Sequence, residues 1–191
     1  KETLELENVD YCLVESAYGD RLHKEAQKGI IEDMIEEAVK NNGVLMIPAF
    51  AIERTQELLH DIEHFCQVGN CAIPTFYLDS PLAEKVTRVF DKYQEYLNKQ
   101  LESTHNNGDI FGLARLKITT TVEQSKEIND APAPKIIIAG SGMMNGGRIL
   151  YHLQNYIEDP KNTLLIVGYQ AQGTLGRRLL EGEKEIKIFG K

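Results

Sequence analysis

Short, wholly apolar runs separated by stretches of helical periodicity constrain this chain more than any other feature. The runs are "CLVE" (12–15), "VLMIP" (44–48), "TFYL" (75–78), "KIIIA" (135–139) and "TLLIV" (163–167). A strand that is apolar on both faces must be covered on both, which is the signature of a parallel sheet between helical layers. The intervening segments supply the helices. Residues 22–41 carry apolar pairs at Ile30/Ile31, Met34/Ile35 and Ala38/Val39 with acids between them, and "ERTQELLHDIEHF" (53–65) repeats the pattern. Leu82, Val86, Val89, Phe90, Tyr93 and Leu97 form one apolar stripe at helical spacing and predict a core-facing helix. The fold class that follows is α/β: a Rossmann-like, open and mostly parallel sheet with helices on both faces. "STHNNGD" (103–109) and "NDAPAP" (129–134) read as surface loops.

The 191 residues suit one large domain spanning 1–191. No apolar run approaches the roughly 20 residues of a membrane span, and the amino-terminal segment lacks a signal-peptide core, so no membrane partner is expected. Three cysteines without a C-x-x-C pair argue against a disulfide framework and a cysteine zinc site, and make a reducing cytoplasm the expected compartment. The net charge of −8 opposes nonspecific nucleic-acid binding, so any phosphate grip needs locally concentrated cations.

In an open parallel sheet, ligands bind outside the carboxyl ends of the strands. The loops there read "ESAYGDR" (15–21), "PAFAIER" (48–54), "DSPLAE" (79–84), "GSGMMNGGR" (140–148) and "GYQAQGTLGR" (168–177). Four of them end on an arginine: Arg21, Arg54, Arg148 and Arg177, out of seven in the chain. Arginine suits bidentate phosphate contacts, and Ser16, Ser80, Ser141 and Thr174 add hydroxyl donors. Gly142, Gly146 and Gly147 lie in a permissive loop between an isoleucine-rich strand and a helix, an arrangement that suits either an anion at the helix N-terminus or a tight strand-to-helix turn with nothing bound. The competing reading pairs each arginine with a nearby acid such as Asp20, Glu53 or Glu84. The dinucleotide G-x-G-x-x-G spacing and the G-K-[ST] of a phosphate loop are both missing.

"HDIEH" (60–64) matches an inverted zinc-protease motif, but Leu58, Leu59, Ile62 and Phe65 mark the buried stripe and turn His60 and His64 to the opposite face. His152 reads as a packing or surface residue. Glu15, at the end of the "CLVE" run, is a candidate catalytic base, an orienting carboxylate or a helix cap; spacing alone favours the cap.

"VESAYGDR", "IPAFAIERTQELL", "YLDSPLA", "GSGMMNGGRILYHL" and "VGYQAQGTLGRRLL", in this order, resemble the β-CASP domain of metallo-β-lactamase-fold nucleases. The likeness is to the bacterial and archaeal branch related to the pre-mRNA 3′-end cleavage endonuclease. The resemblance implies a zinc-dependent hydrolase of RNA phosphodiesters, with two zinc ions in a metallo-β-lactamase domain and the β-CASP domain as the lid over them. The acid of the first motif falls on Glu15, and Glu53 stands beside Arg54 where a small residue is common. The zinc-binding H-x-H-x-D-H sequence does not occur in this chain. The expectation is therefore an excised lid that holds no zinc and is inactive by itself. The partners implied are single-stranded RNA, the missing metallo-β-lactamase domain, and a second copy in a homodimer of the larger protein. The alternative left by the loops themselves is a non-catalytic α/β module for a phosphorylated ligand or nucleotide.

Overall fold

A computed structural model describes residues 7–17, 19, 29–68, 74–97 and 115–191. Its elements are α1 (Ile30–Asn41), β1 (Val44–Pro48), α2 (Arg54–Val68), β2 (Thr75–Asp79), α3 (Pro81–Lys92), a 3-10 turn (Gln94–Tyr96), β3 (Leu116–Ile118), α4 (Val122–Asp130), β4 (Lys135–Ala139), α5 (Ile149–Tyr156), β5 (Thr163–Leu164) and α6 (Leu175–Leu180). The strands form one parallel sheet in the order β3-β2-β4-β1-β5.

The period of two along the central strands explains the layers. Leu45, Ile47, Phe76, Leu78, Ile136 and Ile138 enter one core with residues of α1, α2 and α3, among them Ile35, Leu59, Ile62 and Ala83. Val44, Met46, Tyr77, Ile137 and Ala139 enter the other with Ile128, Ile149, Leu153 and Leu175. β1, β2 and β4 are thus buried on both faces. Chain order then fixes a useful geometry. The helices following β1 and β2 lie on one face, while the helix following β4 lies on the other. β4 sits between β1 and β2. The chain therefore parts around the carboxyl end of β4, and a crevice opens there.

Three expectations are corrected. Residues 12–15 are exposed and belong to no strand, and Tyr11, Leu13 and Val14 all lie in solvent. β1 already has neighbours on both sides, and the open edges at β3 and β5 are only three and two residues long, which leaves little backbone for another strand to pair with. The apolar stripe of α3 does not face the core as a unit. Phe90 and Leu97 pack against it, but Leu82, Val89 and Tyr93 are exposed, and the buried positions are Ala83, Glu84 and Thr87. Ala83 lets the helix approach the sheet closely, and the buried Gln56 amide donates to Thr87 Oγ1 at 2.9 Å, which fixes that rotation. Finally, "TLLIV" contributes only Thr163–Leu164 to the sheet. Glu53 takes a left-handed backbone, φ 68°, a conformation that favours glycine or asparagine.

Candidate functional site

A cleft of about 490 Å³ opens at the carboxyl ends of β1, β2 and β4, at the parting of the chain. Its walls come from three loops: Ala49, Phe50 and Ala51 after β1, Asp79 through Leu82 after β2, and Gly140–Gly142 with Gly147 and Arg148 after β4. Of the residues expected from sequence, Ser80, Ser141, Gly142, Gly147 and Arg148 converge here. Arg54, Gly146, Thr174 and Arg177 are not among its lining residues, and neither are Glu15 and Ser16. Arg21 lies outside the described residues.

Each loop is held by its own sequence. Ser80 caps α3, its Oγ accepting from Ala83 N at 3.2 Å ahead of Pro81 at the first helical position. Thr55 Oγ1 donates to Phe50 O at 2.7 Å and Gln56 Nε2 to Ala51 O at 3.2 Å, so two buried side chains of α2 fix the backbone of the loop before it. In the glycine loop, Ser141 Oγ donates to Gly146 O at 3.1 Å, and the buried Gln170 amide donates to Gly142 O at 2.9 Å and Gly168 O at 3.1 Å. Gly147 has φ 79°, and a Cβ there would lie 2.3 Å from Gly140 O. The loop's own closure thus requires that glycine, whereas the sequence suggested close approach to a ligand.

The floor of the cleft is a buried polar cluster that sequence reasoning missed. Asp79, wholly buried, accepts hydrogen bonds from Thr119 Oγ1 (2.5 Å), Ser125 Oγ (2.6 Å), Arg148 Nη1 (2.7 Å) and His152 Nε2 (2.7 Å). Burial works against its charge, but the donors from His152, Ser125, Thr119 and Arg148 outweigh it and hold the carboxyl at about 2, below its ordinary 3.8. Arg148 also donates to Thr119 O at 3.1 Å and Thr120 O at 3.0 Å. One carboxylate therefore ties β2, the end of β3, α4 and the start of α5 together. His152 is a buried partner in this cluster, and its Nδ1 is buried without a hydrogen-bond partner.

Among the described residues, the arginines expected at this edge do not meet as a free cationic rim. Arg148 holds Asp79, Arg54 pairs with Glu57 at 2.7 Å, and Arg177 Nε donates to Glu181 at 2.7 Å. Thr174 Oγ1 donates to Ala171 O and accepts from Arg177 N as the cap of α6, so its hydroxyl serves the helix. Glu15 is exposed and accepts from Ala17 N at 2.6 Å, a local turn contact. In α2, Leu58, Leu59 and Ile62 are buried and His64 is exposed, as the periodicity requires, while His60 is half-buried.

Residues 55–179 match the family model described as the Beta-Casp domain. The chain is 36% identical over 187 residues to Ribonuclease TTHA0252 of Thermus thermophilus, covering 96% of this chain and 43% of that protein. It is 36% identical over 190 residues to Transcription termination factor FttA of Thermococcus kodakarensis, covering 96% of this chain and 29% of that protein. An RNase J-like protein of Methanocaldococcus jannaschii is likewise 36% identical, over 97% of this chain and 43% of its own length. The chain thus spans less than half the length of these relatives.

Proposed function

The chain belongs to the Beta-Casp domain family, and from that premise we propose that it is the RNA-gripping lid of a zinc-dependent ribonuclease that hydrolyses RNA phosphodiester bonds. The observation that carries the reading is the cleft at the carboxyl ends of β1, β2 and β4, walled by the capped start of α3 and the glycine loop. Relatives named a ribonuclease and a transcription termination factor support RNA as the polymer it holds.

The described residues do not fit the zinc ions. Among them, no three His, Cys, Asp or Glu side chains group as metal ligands, and both oxygens of Asp79 are filled by protein donors. The zinc ligands are assigned to a metallo-β-lactamase domain outside this chain, and the chain alone is expected to bind RNA without cutting it. Glu15 is proposed, by its motif, as the acid nearest the chemistry: Glu15→Gln in a protein containing both domains loses most turnover and keeps RNA affinity and melting temperature. Normal turnover in that variant removes the assignment.

The grip itself is tested by fluorescence anisotropy with a short single-stranded RNA. Leu82 lines the cleft and is exposed, so Leu82→Glu leaves the fold intact while placing a negative charge against the strand. Affinity is expected to fall about tenfold, through the lost apolar contact and a negative charge set against a polyanion. Unchanged affinity contradicts the reading, and a free mononucleotide binding as tightly as the oligomer points instead to a nucleotide-binding module.

A further inference from the structure

The cleft's lining is an unusual match for a polyanion. Among the described residues, Arg148 is its one cationic lining residue, and that guanidinium is already committed to Asp79 and to two backbone carbonyls. Among the described residues, a phosphate arriving here meets no uncommitted arginine. Most of the remaining wall is apolar: Ala49, Phe50, Ala51, Pro81 and Leu82. Phe50 stands out. It is 41% exposed although aromatic, and it is seated on the glycine loop. A Cβ on Gly142 would lie 2.7 Å from Phe50 Cδ2 and 2.8 Å from Cε2, and one on Gly168 would lie 3.7 Å from Cε2. The lack of side chains at both positions lets the ring settle against backbone. Thr55 and Gln56 fix the main chain that carries it, and Gln170 fixes the glycine beneath it. A rigid, half-exposed ring in an apolar cleft is a platform for a flat, apolar-faced ligand.

We propose that Phe50 is a stacking platform for one nucleobase of the RNA strand, with Leu82 lining the same cleft, so that this part of the site grips a base and leaves the phosphates outside. The proposal rests on the RNA-binding reading and deepens it. Stacking on an aromatic side chain tolerates any base, because every base has a π-face. Ser80 and Ser141 line the same cleft; Ser80 Oγ accepts from Ala83 N and keeps its own proton to donate, while Ser141 Oγ donates to Gly146 O and keeps its lone pairs to accept, so each has one capacity left for a polar edge of the nucleotide.

The test compares oligoadenylate with an abasic oligoribonucleotide of equal length. Phe50→Leu keeps apolar volume and removes the ring. It should weaken oligoadenylate binding roughly 5- to 100-fold. It should leave the weaker binding of the abasic strand, and the dependence of both on salt, unchanged. Phe50→Tyr should bind oligoadenylate like the parent. The chain contains no tryptophan, so Phe50→Trp installs a single indole whose emission should be quenched by oligoadenylate and left alone by the abasic strand. That variant keeps the test decisive if Phe50→Leu folds poorly. Equal losses on both strands, or an indole indifferent to oligoadenylate while RNA still binds, overturn the platform and leave the RNA reading standing. A folded parent protein that binds neither strand overturns both.

Discussion

Beneath the cleft, Asp79 offers both carboxylate oxygens to four protein donors, whereas at the lip Phe50 leaves about two fifths of its surface to solvent against Gly142. The floor draws Thr119, Ser125, Arg148 and His152 from three separate segments to one buried charge. The lip draws on backbone, small residues and a single ring. A fully satisfied charge is rigid but has little left for a ligand; an exposed ring on a fixed backbone loses nothing when a base covers it. The charged residues that most resemble an anion site are thus the ones that build the cleft, and the apolar residues beside them are the ones left to bind.

The largest effect should come from the floor. Asp79→Ala strands a part-buried guanidinium and a buried imidazole, which typically costs about 3–5 kcal/mol. For a chain of this length that is a fall of about 10 °C in melting temperature by calorimetry or circular dichroism. A shift of only a degree or two would mean that the cluster does not hold the four elements together.

Gly147→Val comes next. It forces a left-handed backbone on a branched residue and drives its Cβ into Gly140 O. The expected loss is about 2–3 kcal/mol in denaturant unfolding. A variant as stable as the parent would return the glycine to a ligand role.

The pH dependence of the floor is of similar size. Asp79 titrates near 2 in the folded protein against 3.8 ordinarily. Its folded pKa is lowered, so its contribution is fully present above about pH 4 and is lost as pH falls toward 2, for about 2 kcal/mol. The stability gap between the parent and Asp79→Asn should therefore narrow across that window. A constant gap would show that the charge of Asp79 is not what its donors stabilise.

The smallest effect belongs to an arginine outside the cleft. Arg54 pairs with Glu57 on an exposed helical turn, so Arg54→Ala should change stability by less than about 0.5 kcal/mol. If it also leaves the salt dependence of RNA binding unchanged, the arginine takes no part in the grip; a slope reduced by about one charge would restore it to the phosphate path.

Much of this was legible in sequence where one element decides the outcome. The apolar runs at 44–48, 75–78 and 135–139 became the central strands because a wholly apolar run of that length has few other fates. The glycine loop fell at the edge of β4 for the same reason. Pairing of arginines with nearby acids was anticipated, but the partners were not: Arg54 takes Glu57 rather than Glu53, Arg177 takes Glu181, and Glu84 pairs with Arg88. What sequence did not convey depends on contacts between distant segments. His152 and Asp79 are 73 positions apart, and no spacing rule links them. The rotation of α3 follows from Ala83 and Thr87 meeting the sheet and Gln56, so its most apolar stripe was a poor guide. β3 is a three-residue edge strand, half-buried at Leu116 and exposed beyond it, and its "LKI" carries no apolar run to notice. Phe50 was visible in "PAFAIER", but only the seat provided by Gly142 marks it as a platform.

The central claim is that the cleft at the ends of β1, β2 and β4 holds single-stranded RNA. Backbone amide hydrogen exchange, measured with and without saturating oligoadenylate, tests it most directly. Protection is expected in residues 48–52, 80–83 and 140–148, with α1 and the outer face of α2 unchanged. Bound RNA that leaves those three loops unprotected, or protects a different surface, would contradict it.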